Sequence, residues 1–488
     1  MTITGPIRTT ALAALLLAGA PVMGAAQEPA APADCTCLAD LDTLAAKLQR
    51  NYVAWHIEYA GTRREAEFRR FLARLRDRAE RIGDADCIFV LRELTNWFRD
   101  GHLFVFQNPR LTPEQADRMA EAAEVRTIDE AALRADLVRH AGRLDPVAGI
   151  WYAPGYRIGI VPDTGGGRGA FVGIVLASDS ARWKPGHVKV RLRRNRDGTY
   201  RTILYADDHS RRDTEGRLYR NTLLTTQPMT WGRELPLAAH EAGTLDPVDP
   251  LRPTLRLAGR DAVIVSVPSH DPKYRAVLDS LVTRHRADLL SRPFLLIDIR
   301  GDLGGGSMTT APLVPLLATR EQRPPIGPSG PSTVVASADN IRYFGRGWNP
   351  DSIAERMAAA PGRVMPLMRN ETLDMPFDAD TVHAMPARVA VLMDRGVASA
   401  GEAFLLQARK STKVTLYGDN SWGMIDYQSV NVVRLDCRPR GILFGYPMIA
   451  ASNTLPADGL NAKGIPPDVR VPRSIPDPVA WTLRQLAR

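Results

Sequence analysis

Two short apolar runs that each collapse into small residues set the strongest limit on what this chain can fold into. The first, 292–307, reads Arg-Pro-Phe-Leu-Leu-Ile-Asp-Ile-Arg-Gly-Asp-Leu-Gly-Gly-Gly-Ser. The second, 387–402, reads Ala-Arg-Val-Ala-Val-Leu-Met-Asp-Arg-Gly-Val-Ala-Ser-Ala-Gly-Glu. Unbroken apolar runs of this length suit strands buried on both faces, as in a parallel sheet covered by helices. Further strands are expected at 262–267 and 414–417, with helices at 274–290, 309–317 and 399–410. This βα alternation predicts an α/β domain over residues 251–488. The Pro/Gly-rich stretch from Arg323 to about Met385 is long for a connection and reads as a functional loop or insert over a site.

Upstream, the pattern changes twice. Leu41, Leu44, Leu48 and Tyr52, then Phe68, Phe71 and Leu75, recur at helical spacing, and a third helix is expected from Cys87 to Phe98. Arg99-Asp-Gly-His102 reads as a turn into a strand, and a polar helical stretch follows from Thr112 to Arg143. Residues 27–143 are therefore an expected helical domain. From 144 to 250, short alternating segments separated by turn formers predict an antiparallel sheet or small barrel. The turn Trp183-Lys-Pro-Gly-His187 superficially resembles that of a peptide-binding PDZ module, and reads equally as an ordinary hairpin turn.

The N-terminus carries Arg8, an apolar stretch Ala11–Ala20 and small residues at 24–26, the layout of a secretory signal peptide over residues 1–26. Export to the periplasm or medium is expected, with no membrane span once the signal is removed. Export permits disulfides among Cys35, Cys37, Cys87 and Cys437. Cys87 with Cys35 or Cys37 is the expected pair, but three connectivities are open. The +9 formal charge is spread through mixed-sign sequence rather than concentrated in a basic block, which argues against a nucleic-acid partner. No His/Cys cluster or HExxH motif points to a metal, and Gly301–Ser307 lacks the spacing of a nucleotide-binding loop.

The chemistry concentrates on the two opening runs. Ser399 stands at a strand-to-helix junction among small neighbours, where a hydroxyl nucleophile would meet free backbone N–H groups. The same position also suits a plain helix N-cap. Gly304 and Gly305 allow amide donors to approach a ligand closely.

Together these segments resemble the S41 family of serine peptidases, which includes C-terminal processing peptidases and tricorn protease. The carrying motifs are Asp298–Gly305, Val391–Glu402, Arg99-Asp-Gly-His102 and Lys463-Gly-Ile-Pro-Pro-Asp-Val-Arg-Val471, with Asp302 in place of the family's Asn. The resemblance implies a multidomain α+β protein: an N-terminal helical region, a β-rich middle domain and a C-terminal ClpP/crotonase-like α/β catalytic domain. It implies Ser399 as nucleophile, Gly304, Gly305 and Ala400 as the oxyanion hole, a peptide or protein substrate, and no cofactor. The lysine base of the processing peptidases aligns with Met424, whose thioether cannot take a proton. Lys410 and Lys413 read as solvated. The tricorn-like arrangement then makes His102 the base, whose other reading is a structural histidine. The supporting glutamate of that arrangement aligns with Asn461, and Glu402, one turn beyond Ser399, reads either as a brace or as a surface carboxylate. The departures at Met424, Asp302 and Asn461 also fit an inactive binding protein on the same scaffold.

Overall fold

The computed structural model describes residues 35–83, 86–109, 111–328, 330–345, 353–368, 377, 382–435, 437 and 441–488. The expected signal segment lies outside them. Helices α1 (Cys37–Asn51), α2 (Arg63–Ala79) and α3 (Cys87–Asn96) come first, then strand β1 (Phe104–Gln107). The polar stretch forms two short helices, α4 (Pro113–Glu121) and α5 (Glu130–Arg139), instead of one. Between them the chain is extended, and Val125 forms an antiparallel bridge with His187.

The alternating middle segment closes into a barrel of eight antiparallel strands. These are β2 (Gly149–Ala153), β3 (Tyr156–Pro162), β4 (Ala170–Ser178), β5 (Val188–Arg194), β6 (Tyr200–Tyr205), β7 (Arg211–Tyr219), β8 (Leu223–Thr225) and β9 (Thr230–Leu235). Closure removes both sheet edges, and β2 pairs with β9 to complete it. Trp183 lies in the β4–β5 connection of this barrel, so the hairpin reading of that turn replaces the PDZ one. Trp151, Trp231 and Leu224 fill the interior. Lys189 is buried with them, its Nζ 4.0 Å from the Tyr156 ring centre and 3.9 Å from that of Trp183.

The C-terminal part builds a six-stranded sheet from β10 (Thr254–Ala258), β11 (Ala262–Ser266), β12 (Phe294–Asp298), β15 (Arg388–Met393), β16 (Val414–Gly418) and β19 (Val469–Arg470), in that order. All pairs but the first are parallel. Helices α6 (Arg275–Arg284) and α7 (Arg286–Ser291) connect β11 to β12, with a break at His285. The helix expected at 309–317 is mostly a 3-10 turn, Ser307–Leu313, before the short α8 (Val314–Leu317), because Pro312 and Pro315 remove two backbone donors.

Of the two readings for 323–385, loop or insert, the insert holds for the described part, which folds into β13 (Thr333–Val335), α9 (Ala338–Phe344), α10 (Ile353–Ala358) and β14 (Val364–Pro366). Apolar Val334 and Val335 are fully buried, and β13 pairs with β18 (Ile442–Ala450). That strand also pairs with β1 and with β17 (Tyr427–Arg434), giving a second sheet of five strands. Segment 419–426 follows β16, and α12 (Pro478–Leu486) is the last helix among the described residues. The N-terminal helices have no core of their own. Leu44, Leu48 and Phe68 share one cluster with Val334, Phe344, Phe444 and Tyr446. Disulfides Cys35–Cys437 and Cys37–Cys87 tie the helical region to itself and to the end of the chain. The whole is the expected multidomain α+β arrangement.

Candidate active site

Parallel sheets present their functional loops at the carboxyl ends of the strands. Here the two neighbouring strands β12 and β15 end together, in register from Phe294↔Arg388 to Asp298↔Leu392. The 299–306 loop and the 394–399 turn therefore leave the sheet side by side. Asp394 joins them: its Oδ1 accepts the N–H groups of Gly301 at 2.9 Å and Gly396 at 2.8 Å. Tyr219 of the barrel packs over both of these glycines, so the barrel wall supports the base of both loops.

Ser399 directly precedes α11 (Ala400–Arg409) with φ 52° and ψ −116°, a conformation strongly disfavoured for a residue with a side chain. An ordinary N-cap is extended, so this serine is held in a sharp elbow that a cap does not require. The Ala398 N–H bonds to the Asp302 carbonyl at 3.0 Å, and the Trp422 N–H to the Val397 carbonyl at 2.8 Å, fixing the elbow from both sides. Gly304 approaches it so closely that a Cβ there would lie 2.8 Å from Ser399 Cβ.

The three expected oxyanion donors are not equivalent. Gly304 donates its N–H to Asp302 Oδ1 at 2.9 Å, so its part here is close approach rather than a free donor. The N–H groups of Gly305 and Ala400 make no hydrogen bond among the described residues. That of Ala400 is one of the unsatisfied donors at the start of α11, where the helix dipole favours negative charge.

Glu402 is a buried carboxylate, not a surface one. Its Oε1 accepts Ser421 Oγ at 2.6 Å and the Gly423 N–H at 2.8 Å, and its Oε2 accepts the N–H groups of Met424 at 2.7 Å and Ser399 at 3.1 Å. Burial raises its pKa against the lowering effect of these four donors. Asn461 braces the same segment from outside, its Oδ1 accepting the Ile425 and Asp426 N–H groups at 3.1 Å each. Asp426 returns the bond to the Asn461 N–H at 2.9 Å. Asn461 thus holds backbone.

His102 is buried in the turn before β1, and its Nδ1 is without a hydrogen-bond partner among the described residues. Its backbone N–H bonds to Asp100 Oδ1 at 2.9 Å, and Asp100 Oδ2 accepts Tyr52 Oη at 2.8 Å. Burial raises the Asp100 pKa. The turn meets the serine side of the site through Met424: a Cβ on Gly101 would lie 2.6 Å from Met424 Sδ. The position aligned with a lysine base is therefore filled by a thioether packed against the His102 turn. Lys410 is buried, and Lys413 is partly buried with Nζ 3.5 Å from the His383 carbonyl, so neither is a solvated surface lysine. Among the described residues no group of three or more His, Cys, Asp or Glu side chains is placed to hold a metal ion. No helix among them is long and apolar enough to cross a membrane.

Two groups near the site escaped sequence reasoning. His270 pairs with Asp302, and Arg220, at the tip of the β7–β8 hairpin, enters the sheet. Arg220 bonds to the Arg300 carbonyl at 2.6 Å and lies 3.3 Å from Asp298 Oδ1. Burial alone would raise the Asp298 pKa, but Arg220 and Arg300 outweigh it and bring it down to about 2. A buried aspartate where the motif has asparagine was the available signal for a basic partner.

Residues 264–471 match the model of Peptidase family S41. A comparison with curated proteins finds no match. Similar solved structures include mature CPAF complexed with lactacystin, at 11% identity and TM-score 0.46, covering 93% of this chain and 97% of that one. The photosystem II D1 C-terminal processing protease matches at 14% identity and TM-score 0.36, over 93% and 98%. A putative peptidase from Parabacteroides merdae matches at 11% and 0.39, again over 93% and 98%. At these scores the three likenesses carry no argument of their own.

Proposed function

We propose that the chain, whose residues 264–471 match the model of Peptidase family S41, is an exported serine peptidase that hydrolyses peptide bonds through an acyl-enzyme on Ser399. The observation that carries this reading is the elbow at Ser399, with φ 52°, beside the uncommitted N–H groups of Gly305 and Ala400. A strained serine with two donors beside it is suited to a tetrahedral oxyanion.

In this mechanism Ser399 Oγ attacks the scissile carbonyl while His102 takes its proton. The carbonyl oxygen becomes an oxyanion held by Gly305 and Ala400. Collapse breaks the C–N bond, and His102 returns the proton to the leaving amine. Water, activated by the same imidazole, then releases the acyl group and restores the serine. The unpartnered Nδ1 of His102 supports its role as base. Glu402 and Asn461 serve as braces that hold the 421–426 segment and the Ser399 backbone. Two disulfides and the signal-like N-terminus support export.

A second reading has one observation in its favour. Met424 fills the place of a lysine base and packs on Gly101, which suits a binding protein that has lost turnover. Labelling of the mature protein with a serine-directed fluorophosphonate separates the two. Labelling that Ser399→Ala abolishes supports the peptidase; an unreactive wild type supports the binder, and labelling that survives the substitution removes Ser399 from the mechanism.

A further inference from the structure

Behind the nucleophile lies a fully buried histidine–aspartate pair that the mechanism above does not use. His270 Nδ1 donates to Asp302 Oδ2, its backbone N–H bonds to Asp302 Oδ1 at 3.1 Å, and its Nε2 lies 3.1 Å from Thr310 Oγ1. The order Asp–His–hydroxyl imitates a catalytic triad, but Thr310 is itself buried and the row serves no surface. Its connections lead elsewhere. Asp302 Oδ1 accepts the Gly304 N–H at 2.9 Å, and the Asp302 carbonyl accepts the Ala398 N–H at 3.0 Å, one residue before Ser399. The His270 carbonyl takes the Gly306 N–H at 2.8 Å and Thr309 Oγ1 at 2.7 Å. The Asp302 carboxylate thus holds the Gly304 end of the Gly304–Gly305–Gly306 run, the His270 carbonyl holds the Gly306 end, and the Asp302 carbonyl holds the elbow, with the imidazole fixing the carboxylate.

We propose that His270 is a positioning residue for the proposed hydrolysis: by donating to Asp302 it fixes the glycine run so that the Gly305 N–H faces the Ser399 site. The inference rests on the peptidase reading above for its catalytic consequence, but not for its structural one. Without that donor Asp302 Oδ2 loses its partner in a fully buried place, and the carboxylate is expected to turn away from its present position. That turn releases the Gly304 N–H and leaves the run of three glycines fastened at its Gly306 end alone among the contacts described above. A positioning role depends on the donor nitrogen, not on the volume of the ring. Asparagine places its amide nitrogen near the position of Nδ1, whereas leucine fills space and donates nothing.

The test compares His270→Asn, His270→Leu and the double variant His270→Leu/Asp302→Asn, in which residue 302 is neutral and needs no donor. The readouts are amide hydrogen exchange of the 300–307 segment, the rate of fluorophosphonate labelling, and kcat against KM on a peptide pool. His270→Leu is expected to speed exchange of the segment and slow labelling, each at least tenfold, with kcat reduced and KM within twofold. His270→Asn and the double variant are expected within about threefold of wild type. Wild-type protection in His270→Leu overturns the proposal, as does a loose segment in His270→Asn or in the double variant. If His270→Leu fails to fold, the other two decide by the same limits. A wild type that never labels removes the peptidase reading alone, and the exchange data still judge this one.

Discussion

Glu402 accepts the backbone N–H of Met424 at 2.7 Å, so the residue occupying the expected lysine position is held in place by the carboxylate one turn beyond the serine. A carboxylate taking four donors is acting as a frame for backbone, and that makes its replacement by an amide informative. Glu402→Gln can present only one oxygen, so at least one of the N–H groups of Ser399 and Met424 or of Gly423 meets an NH2. A loss of about 2 kcal/mol is expected from an unsatisfied buried group of this kind, read as a shift in urea midpoint. Labelling of Ser399 should fall with it; an unchanged midpoint would mean that the four-donor cluster is not what holds the elbow.

Strain at Ser399 predicts an ordering among inactive variants. At φ 52° and ψ −116° a Cβ is costly, and glycine is not. Ser399→Gly should be the more stable of the pair by about 1 kcal/mol over Ser399→Ala, after the greater freedom of glycine in the unfolded chain is counted. Equal melting temperatures would show that the elbow stores no strain.

His102→Ala should leave melting within a few degrees and cut turnover by about 100-fold or more, the contribution typical of a positioned general base. A variant that retains turnover sends the search for the base elsewhere.

Two buried charges make stability rise with pH in two separate windows. Asp298 is held down to about 2 in the folded protein, below the ~3.9 of an unfolded aspartate, so its stabilisation is present above pH 5 and lost as pH falls toward 2. The pair shift corresponds to roughly 2–3 kcal/mol, and Arg220→Met should remove much of it. Lys189 is lowered to about 7 by burial inside the barrel, below the ~10.4 of an unfolded lysine. Unfolding then takes up a proton between about pH 7 and 10, so stability rises with pH across that window. Lys189→Met should flatten the rise and add about 2 kcal/mol at pH 7, measured by urea titration at several pH values.

The two disulfides close loops of very different length, 402 against 50 residues apart. In the chain-entropy model the difference enters as 1.5RT ln(402/50), about 1.8 kcal/mol. Cys35→Ser/Cys437→Ser should therefore cost more than Cys37→Ser/Cys87→Ser, and calorimetry of both double variants measures it.

The parts of this protein written in local pattern were legible from its sequence. The runs ending at Asp298 and Met393 are buried parallel strands because nothing in them is polar enough to face water, and their small residues mark the elbow. Alternation from Ile150 to Tyr205 announced an antiparallel sheet or a small barrel. What depended on distant partners was not legible. Val334 and Val335 looked like part of a loop because the strand they join lies a hundred residues on. Glu402 read equally as a brace or a surface carboxylate because its four partners come from its own elbow and from 421–424, and no helical periodicity reports that. His270 carried no motif at all; only the aspartate at 302 hinted that something must answer its charge.

Strand β1 begins two residues after His102 and pairs with β18, Phe104 opposite Gly445. About 340 of the 488 residues lie between those partners. The sheet partner that backs the turn bearing His102 is not made until the last tenth of the sequence, and pairings so remote in the chain form slowly. Synthesis itself thus acts as a delay: Ser399 and the residues around it can be made and partly folded while the His102 turn is still unsupported. On the reading proposed above, a nascent or truncated chain would carry the serine without an assembled site, which would keep the proposed chemistry away from the polypeptide until the strand at 442–450 is in place.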